Sequence, residues 1–305
     1  MPRQKNHNTY APRETTMNRR EFIQGSMMMF GAAALASGIS AQPVSRPPAF
    51  RLGLVTYNLA RAWDVPTLIA RCKATGFAAV ELRTTHAHGV EPDISATRRK
   101  EVRQQFEESG IVLWGLGTVC EFHSPDPAVV RENIETCKRF CDLARDVGAK
   151  GVKVRPNALP EGVPVEKTLE QIGKALVECG KAGADNGVEI WLEVHGHGTQ
   201  EPPNIARIMQ HCGHPSVGIT WNSNPPDVKN GSVRESFDLL KPYIRSCHIN
   251  ELTSNYPWRE LFGLLKSIGY DRYTLAEIQG LETTSVPDTE RFMHYYRALW
   301  QELCR

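Results

Sequence analysis

The sequence predicts an α/β protein folded as a single (β/α)8 TIM barrel. Short apolar segments alternate with longer segments of helical periodicity, and eight such pairs follow residue 50. The roughly 255 residues that contain them match the usual size of this barrel. A chain of 305 residues with 41% hydrophobic and 23% charged residues can bury a large core. This composition excludes a disordered chain, a collagen-like repeat and a multi-span membrane protein.

The strands are predicted where short apolar runs occur between longer polar segments. The first strand candidate is Phe50–Tyr57. The seven others are residues 78–82, 112–118, 151–155, 189–195, 217–222, 244–250 and 273–278.

The helices are predicted where apolar residues recur at spacings of three and four. Several open with residues that typically cap a helix, namely Asp64, Ser95 and Asp126. The eight helix candidates are residues 65–75, 96–109, 126–147, 165–186, 203–212, 233–241, 258–268 and 288–303.

A doubly wound open sheet is the alternative architecture for such a pattern. That fold usually carries a glycine-rich phosphate-binding turn after its first strand, but here the first strand candidate leads into Val55–Ala60, which contains no glycine. The sequence also lacks a Walker loop and a GxSxG elbow. These observations favour the barrel, and we find no sign of a second domain.

Residues 1–41 have the layout of a twin-arginine export signal. Arg19 and Arg20 precede an uncharged stretch, residues 25–45, that is rich in Met, Ala, Gly and Ser and only modestly hydrophobic. This stretch is a poor candidate for a membrane-spanning helix. We therefore expect an exported, periplasmic protein without a stable membrane span after signal cleavage. Residues 42–49 are interpreted as a linker and residues 50–305 as the barrel domain.

The charge and cysteine patterns exclude several partners. The first 41 residues hold five Lys/Arg and two Asp/Glu, so that 31 basic and 32 acidic residues remain in the rest of the chain. Because the net charge of the chain after residue 41 is close to zero, nucleic acid is disfavoured as a partner. The eight cysteines show no CxxC spacing and suggest neither a zinc ribbon nor a dense disulfide framework.

Polar side chains mark one end of the last four predicted strands. In a barrel, alternate residues of a strand face the lumen, and catalytic groups lie where the strands end. On the fifth strand Trp191, Glu193, His195 and His197 share one parity, opposite to apolar residues, so the acid and the imidazoles should point inward. The corresponding polar residues on the sixth, seventh and eighth strands are Asn222, His248 and Glu277.

These strand ends predict a site for one divalent metal ion, Mn, Mg, Co or Zn. Two carboxylates, an imidazole and an amide oxygen form a mixed oxygen and nitrogen set that such ions accept. Burying two unpaired glutamates in one lumen without a cation would cost several kcal/mol. The expected metal ligands are Glu193, Asn222, His248 and Glu277.

Five segments at the predicted strands carry a family resemblance: Gly76–Glu81, Leu192–His195, Gly218–Asn222, Cys247–Glu251 and Leu275–Glu277. With them the chain resembles the sugar phosphate isomerase/epimerase superfamily of xylose isomerase-like barrels, over about residues 50–303. The resemblance implies metal ligation by Glu193, the sixth-strand residue, His248 and Glu277. In the family the sixth-strand ligand is usually aspartate, whereas Asn222 offers an amide oxygen with less charge.

The resemblance also implies a chemistry. Glu193 and Glu277 would act both as metal ligands and as the acid/base pair on opposite faces of a substrate carbon. We therefore expect a metal-dependent sugar isomerase or epimerase that removes a proton next to a carbonyl through a metal-stabilised enediolate. Reprotonation on the other face gives epimerisation, and reprotonation on the neighbouring carbon gives isomerisation.

Further residues at the predicted mouth are expected to contact the carbohydrate. Lys153 and Arg155 share a parity on the fourth strand, and they could assist an enolate or instead form ion pairs inside the lumen. Trp258 could stack on a sugar face or simply pack in its loop. Glu81 and His123 fit positions where the resembling family contacts sugars. The full expected set is Glu81, His123, Lys153, Arg155, His195, His197 and Trp258.

Three other functions stay open at this stage. A 3-keto-glycoside lyase would use the same enolate to expel a leaving group. A non-catalytic sugar-binding barrel would have lost its metal site, with Asn222 as a sign of that loss. An endonuclease IV-like nuclease would need a larger ligand set and a basic groove, which the near-neutral body disfavours. The sequence leaves the sugar and the oligomeric state undetermined.

Overall fold

Eight parallel strands close into a barrel in the order in which they occur along the chain. The computed structural model describes residues 48–278 and 285–305, so the predicted signal segment and residues 42–47 of the predicted linker lie outside the described residues. Pairing of the first strand with the eighth closes the sheet. The strands are β1 (Arg51–Val55), β2 (Ala79–Arg83), β3 (Val112–Glu121), β4 (Gly151–Arg155), β5 (Glu189–Glu193), β6 (Val217–Trp221), β7 (Ile244–Ile249) and β8 (Tyr273–Ala276).

An α-helix follows each strand among the described residues, which confirms the predicted single (β/α)8 barrel. The predicted caps are also confirmed, since the side chains of Asp64, Ser95 and Asp126 each accept a hydrogen bond from a backbone N–H in the first turn. The helices are α1 (Val65–Thr75), α2 (Ala96–Ser109), α3 (Pro127–Val147), α4 (Val165–Asn186), α5 (Pro202–Cys212), α6 (Arg234–Leu240), α7 (Trp258–Ser267) and α8 (Val286–Leu303).

The fifth strand is shorter than predicted. We expected it to reach His195, but β5 ends at Glu193 and the following residues form a loop. Gly196 in this loop has a φ of 91°, a conformation that glycine adopts without steric cost. The alternation of a strand therefore does not extend to His197.

Apolar residues fill the barrel in two separate layers. The larger cluster lies between the strands and the helices and includes Ile190 and Leu192 of β5. A smaller cluster, formed by strand residues of the opposite parity, fills the interior around Trp114, Trp191 and Tyr273. The rings of Trp114 and Trp191 stack with centroids 5.0 Å apart. The aromatic rings thus pack the interior below the carboxyl ends of the strands.

Two glycines make room for the larger of these rings. A Cβ atom at Gly151 would overlap the indole of Trp191, and one at Gly115 would lie 2.7 Å from the same ring. Trp191 is fully buried, so the ring has little space into which it could move.

All eight cysteines are free and buried in the described part of the chain. Burial raises the pKa of Cys72 and Cys247 to about 12 in each case. None of the helices in residues 48–278 and 285–305 combines the length and the apolar character needed to cross a bilayer.

The tight packing around Trp191 predicts opposite effects for two glycine substitutions. Gly151→Ala should lower the free energy of unfolding by about 1–3 kcal/mol because it overfills the barrel interior. Gly263→Ala is the matched control, because a Cβ there meets no atom within 4 Å and the residue lies inside α7. This control should raise stability by about 0.5–1 kcal/mol. Denaturant unfolding would measure both, and equal effects of the two changes would contradict the packing argument.

Candidate active site

A polar cavity of about 300 Å³ lies at the carboxyl ends of the strands. In a (β/α)8 barrel this is the face where substrates bind. Five charged side chains, one imidazole, one phenol and three amides line it, a composition that suits a hydroxylated ligand better than an apolar one. The lining residues are Tyr57, Arg83, Lys153, Arg155, Glu193, His195, Asn222, Asn224, Asn250 and Glu277.

His248 lies beneath the cavity and is completely buried. Its Nε2 lies 3.1 Å from Oε2 of Glu81, a distance at which Nε2–H of the imidazole donates a hydrogen bond to the carboxyl oxygen. Its Nδ1 has no hydrogen-bond partner and lies 3.6 Å from Oε1 of Glu193 and 3.5 Å from Oε2 of Glu277. Burial alone would lower the pKa of His248, but Glu81, Glu277 and Glu193 together hold it well above its usual range.

Glu193 uses its two carboxylate oxygens differently. Oε2 forms a buried ion pair with Nζ of Lys153 at 2.6 Å, whereas Oε1 faces His248. Burial would raise the pKa of Glu193, but Lys153, His248 and His195 outweigh it and hold the pKa well below its usual range. Glu193 is therefore an ionised carboxylate with one oxygen directed to the centre of the site.

Three of the four predicted ligands fit a divalent metal ion. One ligand atom each from Glu193, His248 and Glu277 lies within 4.8 Å of the other two. Bonds of about 2.1 Å to a common ion would place neighbouring ligand atoms roughly 3.0–3.4 Å apart, close to the two separations measured from Nδ1 of His248. The buried Nδ1 without a partner is the group that such an ion would satisfy.

Asn222 is not oriented as the metal ligand that the sequence predicts. Its Nδ2 donates to Oε1 of Glu193 over 3.3 Å, and its Oδ1 accepts from the backbone N–H of Ser223 at 3.0 Å. The structure thus places this side chain in the cavity, with its amide nitrogen rather than its oxygen toward the carboxylate of Glu193.

The structure separates the predicted substrate contacts into two groups. Lys153, Arg155 and His195 line the cavity. Lys153 also forms the ion pair that the sequence left open as an alternative, and Arg155 pairs with Glu121 through a short contact. His195 keeps a buried Nδ1 without a hydrogen-bond partner.

The other four predicted contacts do not line the cavity. Glu81 is fully buried behind His248, so it contacts the imidazole rather than a substrate. Trp258 is 2% exposed and packs against Tyr256 and Phe262 as the first residue of α7, which corrects the expectation of a sugar-stacking ring. His197 is exposed in the loop after β5, and His123 lies 3.9 Å from Glu121.

Four of the lining residues were not predicted as site residues: Tyr57, Arg83, Asn224 and Asn250. A signal existed for two of them. Arg83 has the same parity as Glu81 at the end of β2, and Asn250 has the same parity as His248 at the end of β7. Tyr57 and Asn224 follow their strands in loops, where parity no longer predicts direction.

Asp227 holds one of these loops in place. Its Oδ2 accepts from the backbone N–H of Asn224 at 2.8 Å and from the hydroxyl of Tyr256 at 3.0 Å. Its Oδ1 is buried without a partner, and burial raises the pKa of Asp227 to about 7. Asn224 in turn donates from Nδ2 to the carbonyl of Val194 at 2.6 Å, which ties the loop to β5.

The closed barrel with a polar cavity at the carboxyl ends of its strands defines the fold class as a (β/α)8 barrel. Comparison with known sequences identifies the family. The chain belongs to the xylose isomerase-like TIM barrel family, whose sequence pattern matches residues 69–294.

Solved structures share this fold. The D-psicose 3-epimerase of Clostridium cellulolyticum H10, crystallised with D-tagatose, superposes with a TM-score of 0.72 at 14% identity, covering 84% of this chain and 100% of that one. The 3-keto-D-glucoside 4-epimerase of E. coli gives 0.67 at 13% identity, with 82% and 99% coverage. The IOLI protein with a bound zinc atom gives 0.66 at 16% identity, with 83% and 96% coverage.

The contact between Glu81 and His248 predicts an effect on metal affinity. Glu81→Gln should weaken binding of Zn or Mn by about 10- to 100-fold, because the neutral amide oxygen accepts a weaker hydrogen bond from Nε2 of His248 and no longer increases the basicity of the imidazole. Calorimetric titration of the metal-free protein would measure this. Glu101→Gln, on the exposed surface of α2, is the control and should leave the affinity unchanged. A folded Glu81→Gln variant with unaltered affinity would contradict the assigned contact.

The raised pKa of Asp227 predicts a pH-dependent stability. The unfolded chain, in which the pKa is near 3.8, loses this proton before the folded chain does, so the side chain lowers the free energy of unfolding as pH rises from about 4 to 7. Asp227→Asn should match the wild type near pH 4 and exceed it by a few kcal/mol above pH 7. Denaturant unfolding across this range would measure the difference, and the exposed Asp238→Asn is the control. Parallel pH profiles for wild type and Asp227→Asn would contradict the prediction.

Proposed function

We propose that the protein is a divalent-metal-dependent isomerase or epimerase that removes a proton from the carbon next to the carbonyl of a small carbohydrate. The observation that supports this most directly is the buried Nδ1 of His248, which faces the carboxylates of Glu193 and Glu277 below a polar cavity. The family, and the sugar epimerases of similar fold, support the same class of reaction.

The two carboxylates are suited to different parts of the reaction. Glu193 is buried and neutralised by Lys153, and its low pKa makes it a good ligand and a weak base. The Glu277 side chain is 18% exposed and has no lysine or arginine partner in the described part of the chain. Two carboxylates in such different surroundings divide the roles of base and electrostatic partner between them.

A divalent ion held by Glu193, His248 and Glu277 would supply Lewis-acid stabilisation of the negative charge that develops on the carbonyl oxygen. The residues of the chain then provide the proton transfers. Glu277 takes the proton from the carbon, and the ion pair of Lys153 and Glu193 provides the second acid/base position. Delivery of a proton from the ammonium group of Lys153 to the other face of the same carbon would give an epimer, and transfer of the proton held by Glu277 to the neighbouring carbon would give an isomer.

The amides and the imidazole at the mouth orient the sugar. Asn224 and Asn250 are fixed by hydrogen bonds to backbone carbonyls of Val194 and Ser223, and the amide oxygen of Asn250 can accept from a sugar hydroxyl. His195 lines the same cavity and keeps a ring nitrogen without a protein partner. These groups are held before a ligand arrives, which lowers the entropy cost of positioning it.

Deuterium exchange from solvent into a panel of keto sugars and 3-keto-glycosides would test the proposal. Wild type supplied with Mn, Co or Zn should exchange the hydrogen next to the carbonyl. Glu277→Gln should lower the rate by about 10²- to 10⁴-fold, because the amide cannot accept the proton. Elemental analysis of the same samples would separate loss of the base from loss of the metal, and Glu101→Gln is the surface control.

Two other outcomes would favour a different function for the protein. Metal binding by wild type without exchange into any sugar would contradict the proposal and favour a carbohydrate-binding barrel. Release of the aglycone from a 3-keto-glycoside, lost in Glu277→Gln, would show that the same deprotonation ends in elimination and that the protein is a lyase.

A further inference from the structure

Among the described residues, one positive charge in the cavity has no acidic partner. The lining includes three cations, of which Lys153 pairs with Glu193 and Arg155 pairs with Glu121. Arg83 is the third, and no carboxylate of the described residues lies within ion-pair distance of its guanidinium. A divalent ion between Glu193 and Glu277 would add two more positive charges, so the filled site would carry a net positive charge.

Arg83 is nevertheless held in a defined position. Its backbone N–H donates to Oγ1 of Thr56 at 3.0 Å, and its carbonyl is hydrogen-bonded to Nε2 of His88 at 2.8 Å. Its guanidinium lies over the ring of Tyr57, 5.1 Å from the centroid. A cation–π contact of this kind covers one face of the guanidinium and leaves the N–H groups at its edge available.

The described residues around Arg83 do not supply the missing negative charge. Burial, together with the positive charge of Arg83, lowers the pKa of His86 to about 4. The imidazole is therefore neutral near pH 7, and its Nδ1 is hydrogen-bonded to Oγ1 of Thr56. A half-buried guanidinium that faces a binding cavity without an anion is suited to an anion on the ligand.

We infer that the substrate is a sugar acid and that Arg83 binds its carboxylate. The inference rests on the proposed function, because it names the substrate class of the same site. The guanidinium edge matches a carboxylate through two parallel N–H···O bonds. A phosphate monoester, with a charge of about −1.5 to −2 at neutral pH, would need a second free cation, whereas Lys153 and Arg155 are already paired.

Binding measurements on matched ligands would test this inference. Uronates and keto-aldonates would each be compared with the neutral parent sugar and with its phosphate ester, by calorimetry on the full chain with Mn present. We expect at least one sugar acid to bind about 10- to 100-fold more tightly than its neutral parent, and Arg83→Gln to remove that preference. Arg83→Lys should keep part of it, because the charge remains while the two-pronged geometry is lost.

Several results would overturn the inference. It is wrong if no acid in the panel is preferred over its parent sugar, if Arg83→Gln keeps the preference, or if only phosphate esters are preferred. Arg103→Gln removes a guanidinium from the exposed surface of α2, where it pairs with Glu107, and should leave the preference intact. Melting temperatures of all variants would show whether a loss of binding reflects loss of the fold.

The two proposals fail in different experiments. Deuterium exchange that proceeds equally well on neutral sugars would leave the proposed reaction standing and overturn the role of Arg83. A preference for sugar acids that depends on Arg83, without exchange into any of them, would support the acid-binding site and contradict the reaction. Glu277→Gln should lose exchange and retain the preference for the acid.

Discussion

The pairing of three buried charges through one buried imidazole constrains the whole carboxyl end of the barrel. Glu81, Lys153, Glu193 and His248 are each at most 3% exposed, and an unpaired charge at such a depth costs several kcal/mol. They form one continuous series of contacts, from Lys153 to Glu193 to His248 to Glu81. Each residue of this series lies on a different strand, namely β4, β5, β7 and β2. A shift of one of these strands would therefore separate groups that compensate each other's charge.

The apolar interior makes this series possible by closing the other end of the barrel. Trp114 and Trp191 stack below the charged groups, and the ring of Tyr273 lies against Trp114 with centroids 4.9 Å apart. Water is thereby kept from the lower side of the charged groups, which strengthens the electrostatic interactions among them. The apolar interior thus closes one side of the charged groups, and their other side faces the cavity at the mouth of the barrel.

The sequence predicted those site residues whose direction follows from the alternation of side chains along a strand. Strand parity selected Glu193, His248 and Glu277 because the alternation of side chains has a fixed period. It did not predict that Glu81 contacts His248, since these residues lie 167 positions apart and meet only through the curvature of the closed sheet. Parity failed at His197, because the strand had already ended. Trp258 was expected in an accessible loop, but it begins α7 and is buried.

The eight buried thiols have a consequence for the compartment in which the protein works. Thiolates are the species that oxidants attack, and burial raises the pKa of Cys120 to about 11 and of Cys304 to about 12. A chain that crosses a membrane in the folded state, as the export route proposed from Arg19 and Arg20 requires, would reach an oxidising space with its sulfur chemistry already protected. The same chain exported unfolded would expose eight reactive groups to random cross-linking, so the order of folding and transport would decide whether the barrel survives.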